Sequence, residues 1–175
     1  MKPFRSARSN GGGRRRSRMG VIPQEPFIFA GSVRENVDPL RQYGDAEVWR
    51  ALEACGARGA VEARGGLRAE ATHLARGQAQ LLCLARALLQ RAKILLVDEA
   101  TANLDQEAER LILDTIRCSF SGSTVLFIAH RLAGVLECDR VLVMGGGRTL
   151  ELREPEEALA DPTSHLFRLL NPDQD

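Results

Sequence analysis

The sequence predicts an α/β domain built around a parallel sheet. Three observations carry that prediction. Lys93-Ile94-Leu95-Leu96-Val97 and Thr124 to Ala129 are short continuous apolar runs, the pattern of strands buried on both faces. Segments of helical period alternate with them, which argues for a parallel arrangement. Both runs end in polar residues, Asp98-Glu99 on one and His130 on the other. Ligands gather at the carboxyl ends of strands in such sheets.

Composition bounds the answer. The chain has 175 residues, 44% apolar and 27% charged, an ordinary globular balance for one domain. A wholly disordered or collagen-like chain is excluded. No apolar run reaches the ~18–20 residues needed to cross a bilayer. Met1-Lys2-Pro3-Phe4-Arg5 lacks the apolar core of a secretory signal. The four cysteines, Cys55, Cys83, Cys118 and Cys138, form no C-x-x-C pair, which argues against a metal cluster. Together these features predict reduced thiols and a soluble, cytoplasmic chain. Cys83 reads as a small buried hydrophobe.

Net charge is +1 and hides an asymmetry: residues 1–19 hold seven of the 24 basic residues and no acid. This Gly/Arg-rich stretch has little to bury and reads as a disordered tail. A nucleic-acid or anionic-lipid patch is the sharper reading. No aromatic residues are interleaved with Arg14-Arg15-Arg16 and Arg18 to stack on bases, so there is no strong nucleic-acid case.

From Gly20 the elements follow in order. Val21-Ile22 is an apolar stub ended by Pro23-Gln24-Glu25-Pro26, with Phe27-Ile28-Phe29 beyond it. Ser32 and Glu35 form a capping-box pattern. Val48, Trp49, Leu52 and Cys55 recur at helical spacing over 45–55, with Asp45 as the cap. Trp49 and Tyr43 read as packing residues. Residues 56–73 have no clear period and read as loop. Residues 78–90 and 105–119 read as helices, 140–144 and 149–152 as a hairpin around Gly145-Gly146-Gly147, and 155–170 as one or two closing helices.

The chemistry concentrates at Asp98-Glu99. Successive strand side chains point oppositely, so the two acids serve different tasks. One suits a Mg²⁺ ion, and the other suits orienting or deprotonating a water. Alternatively, the pair marks a helix N-terminus. Gly77-Gln78 opens a helix whose bare amides would attract a phosphate. Gln24 by itself is a turn residue between two prolines, and His130 a polar residue at a strand end.

In sequence order these motifs resemble the later part of an ATP-binding cassette, the nucleotide-binding domain of ABC transporters. Gln24 resembles the Q-loop glutamine, Leu74-Ala75-Arg76-Gly77-Gln78 the signature, and Ile94-Leu95-Leu96-Val97-Asp98 the Walker B strand with Glu99 after it. Ala102-Asn103-Leu104-Asp105 resembles the D-loop, and His130 the switch histidine. Gln24-Glu25-Pro26-Phe27-Ile28-Phe29-Ala30-Gly31-Ser32 and Asn36-Val37-Asp38-Pro39 are similar to the multidrug-resistance-associated group, subfamily C, in its second cassette.

The resemblance implies ATP and Mg²⁺ as ligands. Asp98 would help hold Mg²⁺ through water, and Gln24 would touch Mg²⁺ and the attacking water. Glu99 would polarise that water, and His130 would hydrogen-bond the γ-phosphate. Ala75, Arg76, Gly77 and Gln78 would cap the γ-phosphate on a partner cassette, and Asp105 would link the two sites. The implied partners are a second ABC cassette and the transmembrane domains of an exporter, on the cytoplasmic face of a membrane.

Departures accompany the likeness. The pattern G-x-x-x-x-G-K-[ST], which cradles phosphates, is absent, and the two lysines, Lys2 and Lys93, follow no glycine. Ala75 stands where the family usually has serine, and Ala79 where a basic residue is usual. The stretch from Gly65 to Leu74 looks shortened. The expected fold is therefore a partial P-loop NTPase-like ABC cassette, with a parallel sheet, flanking helices and a helical subdomain. It would lack the Walker A strand and the antiparallel subdomain. Residues 20–92 would carry the Q-loop, helical subdomain and signature; residues 93–175 would carry Walker B, D-loop, switch histidine, hairpin and closing helices. The sheet should show an open edge and uncovered apolar surface. By itself the chain should hydrolyse ATP negligibly. A non-hydrolytic module docking on an intact transporter is the alternative.

Overall fold

The computed structural model describes residues 19–101, 104–128 and 135–171. It falls into two compact units, the first ending at Ile128 and the second opening at Ala129. Residues 1–18 of the expected disordered tail and His130 lie outside the described residues; Met19, placed in that tail, instead opens the first strand, paired with Ile94.

The first unit holds β1 (Met19–Ile22), α1 (Val33–Val37), α2 (Asp45–Ala54), α3 (Arg58–Ala63), α4 (Arg76–Leu89), β2 (Ile94–Asp98), α5 (Gln106–Ser119) and β3 (Thr124–Ile128). The strands form one parallel sheet in the order β1-β2-β3. The stub at Val21-Ile22 is thus a full strand, in register with Leu96 and Val97. Three apolar residues interrupted by Gly20 are too few to announce it.

Helix α4 is the packing hub. Ten of its 14 residues are buried, among them Leu82, Leu84 and Leu89. Burying each such leucine contributes roughly 1.5–3 kcal/mol. Cys83 is buried there too, as its apolar setting predicts. Burial raises its thiol pKa and pushes that of Cys55 up to about 12, so neither is a ready nucleophile. Strand β1 reaches this helix because position 20 is glycine. A Cβ there would lie 3.0 Å from Ala87 Cβ, 3.1 Å from Leu95 Cδ1 and 3.2 Å from Ala92 Cβ.

Two expectations about the strands change. Leu95 and Val97 of β2 are buried, but Ile94 is exposed, and β3 has no fully buried residue. The strands are therefore not buried on both faces. One face of the sheet packs on the helices. The other carries Met19 and Val21 of β1, Ile94 of β2, and Leu126 and Ile128 of β3, the last two each 54% exposed. Among the described residues nothing covers it, as the expected uncovered apolar surface anticipates.

The helical part follows from local chemistry. Ser32 Oγ accepts from Glu35 N at 3.2 Å, and Glu35 Oε2 accepts from Ser32 N at 3.1 Å, the full capping box. The Asn-Val-Asp-Pro stretch has structural tasks. Buried Asn36 accepts from Phe29 N at 2.7 Å and donates to Phe29 O and Ser32 O. Asp38 accepts from Arg34 Nη1, Gln42 N and Tyr43 N within 3.0 Å. Asp45 is not the cap of α2: the N-cap is Gly44, whose N–H donates to Glu47 Oε2 at 3.1 Å. Asp45 instead accepts from Arg34 Nε at 2.8 Å. Residues 56–73 are not all loop. Helix α3 forms there around buried Val61 and an Arg58–Glu62 ion pair of 2.8 Å, with the Arg58 guanidinium over Trp49. One apolar anchor in six residues leaves no period to detect.

The second unit holds the expected hairpin, β4 (Val141–Gly145) and β5 (Arg148–Arg153), and two short helices, α6 (Pro155–Ala160) and α7 (His165–Leu170). Gly146 and Gly147 both take positive φ, +56° and +73°, as a tight two-residue turn requires. Val143, Ala158 and Leu166 form its small core. Asp161 accepts from Thr163 Oγ1 at 2.6 Å, Thr163 N at 2.9 Å and Arg153 Nη1 at 2.9 Å. The Thr163 hydroxyl, then Arg153, then the Thr163 amide pull its pKa down to about 2.

Gly20→Val should destabilise the first unit by about 1–3 kcal/mol, the usual cost of overpacking, read from urea unfolding of β1 and α4 signals. The folded pKa of Asp161 lies below its ordinary value near 4, so its stabilising effect is present above about pH 4 and fades as pH falls toward 2. Wild type and Asp161→Asn should therefore differ in thermal stability of the second unit at pH 6 and converge near pH 2.

Candidate functional site

The site grows from strand pairing. Parallel β1 and β2 place Ile22 beside Val97 at their carboxyl ends. The next residues out are Pro23-Gln24 on one strand and Asp98-Glu99 on the other. Gln24 Nε2 donates to Glu99 Oε2 at 3.1 Å, across 75 positions of sequence. Glu99 has φ +46°, a left-handed conformation uncommon for a residue with a side chain. Such a conformation costs on the order of 1–3 kcal/mol and persists where surrounding structure holds it. It ends the strand immediately after Asp98, whose carboxylate is exposed.

Helix α4 meets the same place with its first turn. Ala75 is its N-cap and makes no side-chain capping bond. Arg76 Nη2 donates to Gln24 O at 2.8 Å. Gly77 and Gln78 are half-buried on that turn. A Cβ on Gly77 would meet Ala108 Cβ at 3.4 Å, an ordinary contact, so the chain's own packing does not demand glycine there. The loop leading into α4 is itself held against α1: Val33 N donates to Ala69 O at 2.9 Å and Ala71 N to Gly31 O at 2.8 Å. Between that loop and the segment after Gln24 lies an open groove of about 450 Å³, lined in part by Glu25, Ile28, His73 and Arg76.

Gln24, Glu99 and Arg76 are thus joined by hydrogen bonds, with Asp98 adjacent in sequence. Asp105 is engaged elsewhere: its Oδ1 accepts from Ala108 N at 2.8 Å and caps α5. Ala102, Asn103 and His130 lie outside the described residues. Among the described residues no cluster of three His, Cys, Asp or Glu side chains forms a complete metal cage. The donors here suit Mg²⁺ all the same. That ion binds one or two protein groups and keeps waters and substrate phosphate oxygens. Asp98 supplies an exposed carboxylate, and the Gln24 amide, with its nitrogen turned to Glu99, has Oε1 as its remaining acceptor.

One residue escaped the sequence reading. Gln80 is fully buried, yet its Nε2 donates to Pro23 O at 2.9 Å and Gln24 O at 3.1 Å. A glutamine beside Leu81, on the same face as Leu84, was the available signal: a polar side chain at a core position needs partners.

The comparisons define the class. The family pattern described as ABC transporter matches residues 5–102, more than half of the chain. The chain belongs to that family. Within it, ATP-binding cassette sub-family C member 10 of Mus musculus is 48% identical over 163 residues, covering 91% of this chain and 11% of the relative. Sub-family C member 2 of Rattus norvegicus is 47% identical, covering 83% of this chain and 10% of the relative. Metal resistance protein YCF1 of Saccharomyces cerevisiae is 42% identical, covering 88% and 11%. The chain is therefore nucleotide-binding-domain sequence of subfamily C, and spans about a tenth of the length of these relatives.

The bare N-cap gives a prediction. Serine is a far better cap than alanine, by roughly 0.5–2 kcal/mol. Ala75→Ser should raise the urea midpoint of the first unit accordingly, and an unchanged midpoint would mean that the α4 amides are already satisfied.

Proposed function

We propose that these residues are the later part of the second ATP-binding cassette of a subfamily C exporter. The parent would couple ATP binding and hydrolysis to efflux of amphipathic organic substrates. The single observation carrying this reading is the Gln24–Glu99 hydrogen bond at the ends of adjacent parallel strands. It unites a carboxylate able to take a proton from water with an amide able to orient that water.

In this reading Glu99 polarises the water and Gln24 aligns it. Asp98 would help hold Mg²⁺, with Gln24 Oε1 as a second oxygen. When bound, the ion would neutralise charge on the phosphate oxygens. His130 would donate to the γ-phosphate. The first turn of α4, with Ala75, Arg76, Gly77 and Gln78, would face nucleotide held by a partner cassette, and Asp105 would communicate between the two sites. A second cassette and the transmembrane domains would be the partners, at the cytoplasmic face of a membrane. No helix among the described residues is long and apolar enough to cross one.

The 175 residues contain no G-x-x-x-x-G-K-[ST] loop. Phosphoryl transfer rests mainly on positioning and charge neutralisation, so these residues alone should not turn ATP over. A second reading is a non-hydrolytic module that docks on an intact ABC transporter. The exposed apolar face of the sheet favours it, since patches of that kind mark interaction sites.

Phosphate release tests both readings. The purified chain with ATP and Mg²⁺ should match its Glu99→Gln variant at background. Joined to a preceding segment bearing the missing loop, it should gain turnover that Glu99→Gln lowers roughly hundredfold or more. Turnover by the joined protein that ignores Glu99→Gln would sink the catalytic assignment. Co-purification with an intact transporter, but no turnover in any joined form, would favour the docking module.

A further inference from the structure

We propose that Gln80 is a positioning residue, assisted by Arg76: together they grip the main-chain carbonyls of Pro23 and Gln24 and so aim the Gln24 amide at Glu99. The functional meaning rests on the cassette reading above; the geometry does not.

Four hydrogen bonds form the relay. Gln80 Nε2 donates to Pro23 O at 2.9 Å and to Gln24 O at 3.1 Å. Arg76 Nη2 donates to the same Gln24 O at 2.8 Å. Gln24 Nε2 then donates to Glu99 Oε2 at 3.1 Å. Pro23 has no N–H, and its ring fixes φ. Holding the carbonyls of the two peptides that flank the Gln24 Cα therefore leaves the Gln24 backbone little freedom. Its side chain starts from a fixed base and reaches Glu99 in one orientation.

The burial of Gln80 argues that this is more than packing. Its side chain is fully enclosed, and its Oε1 has no hydrogen-bond donor among the described residues. A methionine of similar shape would bury no orphan oxygen, but it would take the side-chain donor from Pro23 O and one of two from Gln24 O. Glutamine is held at this buried position by its two convergent bonds to neighbouring carbonyls. Arg76 and Gln80 lie four apart on one face of α4. The first turn of that helix, which carries the signature, and the hydrolytic carboxylate are consequently held by the same two peptides. A rotation of α4 would draw Gln24 away from Glu99.

The test is nuclear magnetic resonance of the 175-residue chain, reading the Gln24 side-chain amide. In the wild type its two protons should be well separated and protected from solvent exchange. Glu99→Ala should abolish that protection while leaving the Gln80 amide signals in place, which assigns the bond. In Gln80→Met, with α2 and second-unit signals unchanged, the Gln24 amide should exchange about tenfold faster, equivalent to ~1.4 kcal/mol. A merely structural role would move the α2 signals as well and leave no selective effect. A folded Gln80→Met chain with wild-type Gln24 protection overturns the inference. If Gln80→Met does not fold, Arg76→Met decides: faster Gln24 exchange supports the relay, and unchanged exchange overturns it. No nucleotide enters the measurement, so turnover by the joined protein that ignores Glu99→Gln would defeat the cassette reading and leave this result standing.

Discussion

Parallel pairing of β1 with β2 is the constraint on which the rest depends. It is only four residues long, yet it sets Ile22 against Val97 and brings two distant segments to one edge of the sheet. A one-residue slip would turn Ile22 out of the core and carry Gln24 away from Glu99. The pairing is possible because Gly20 lets the strand lie close to α4 and Ala92. A small residue, a buried isoleucine and a helix packed beneath them thus determine where a carboxylate and an amide meet.

Helix α4 serves packing and site alike. Its apolar residues anchor α1, α2, α5 and the sheet, while Arg76, Gln80 and Arg86 reach from it to main-chain carbonyls. Arg86 Nε donates to Asn36 O at 2.8 Å, and its guanidinium lies over Phe29. Asn36 in turn holds Phe29, so the segment after Gln24 is tied at both ends to one helix. Polar side chains on a largely buried helix are costly without partners, and those partners are carbonyls of α1 and of the loop before it, which has no strand of its own. Core and site are therefore held by the same bonds.

The open face of the sheet has the opposite character. Val21, Leu126 and Ile128 present branched apolar side chains to solvent. Such surface gains from being covered, and it is also where association between chains is favoured. The site residues lie at the strand ends above it, so whatever covers that face would also bear on the geometry around Asp98 and Glu99.

Much of this was legible in the sequence. Continuous apolar runs gave away β2 and β3, helical period gave α2, α4 and α5, and Ser32 with Glu35 announced its capping box, because these signals are local. Asp98, Glu99 and Gln24 stood out through chemistry at strand ends and through motif order. What sequence could not decide was long-range. Val21-Ile22 became a strand only by pairing with residues more than 70 positions away. Helix α3 formed around one anchor with help from Trp49, and β2 and β3 met packing on one face instead of two. The role of Gln80 was hidden for the same reason: a buried amide is defined by what surrounds it, and Pro23 and Gln24 become its neighbours only when the chain has folded.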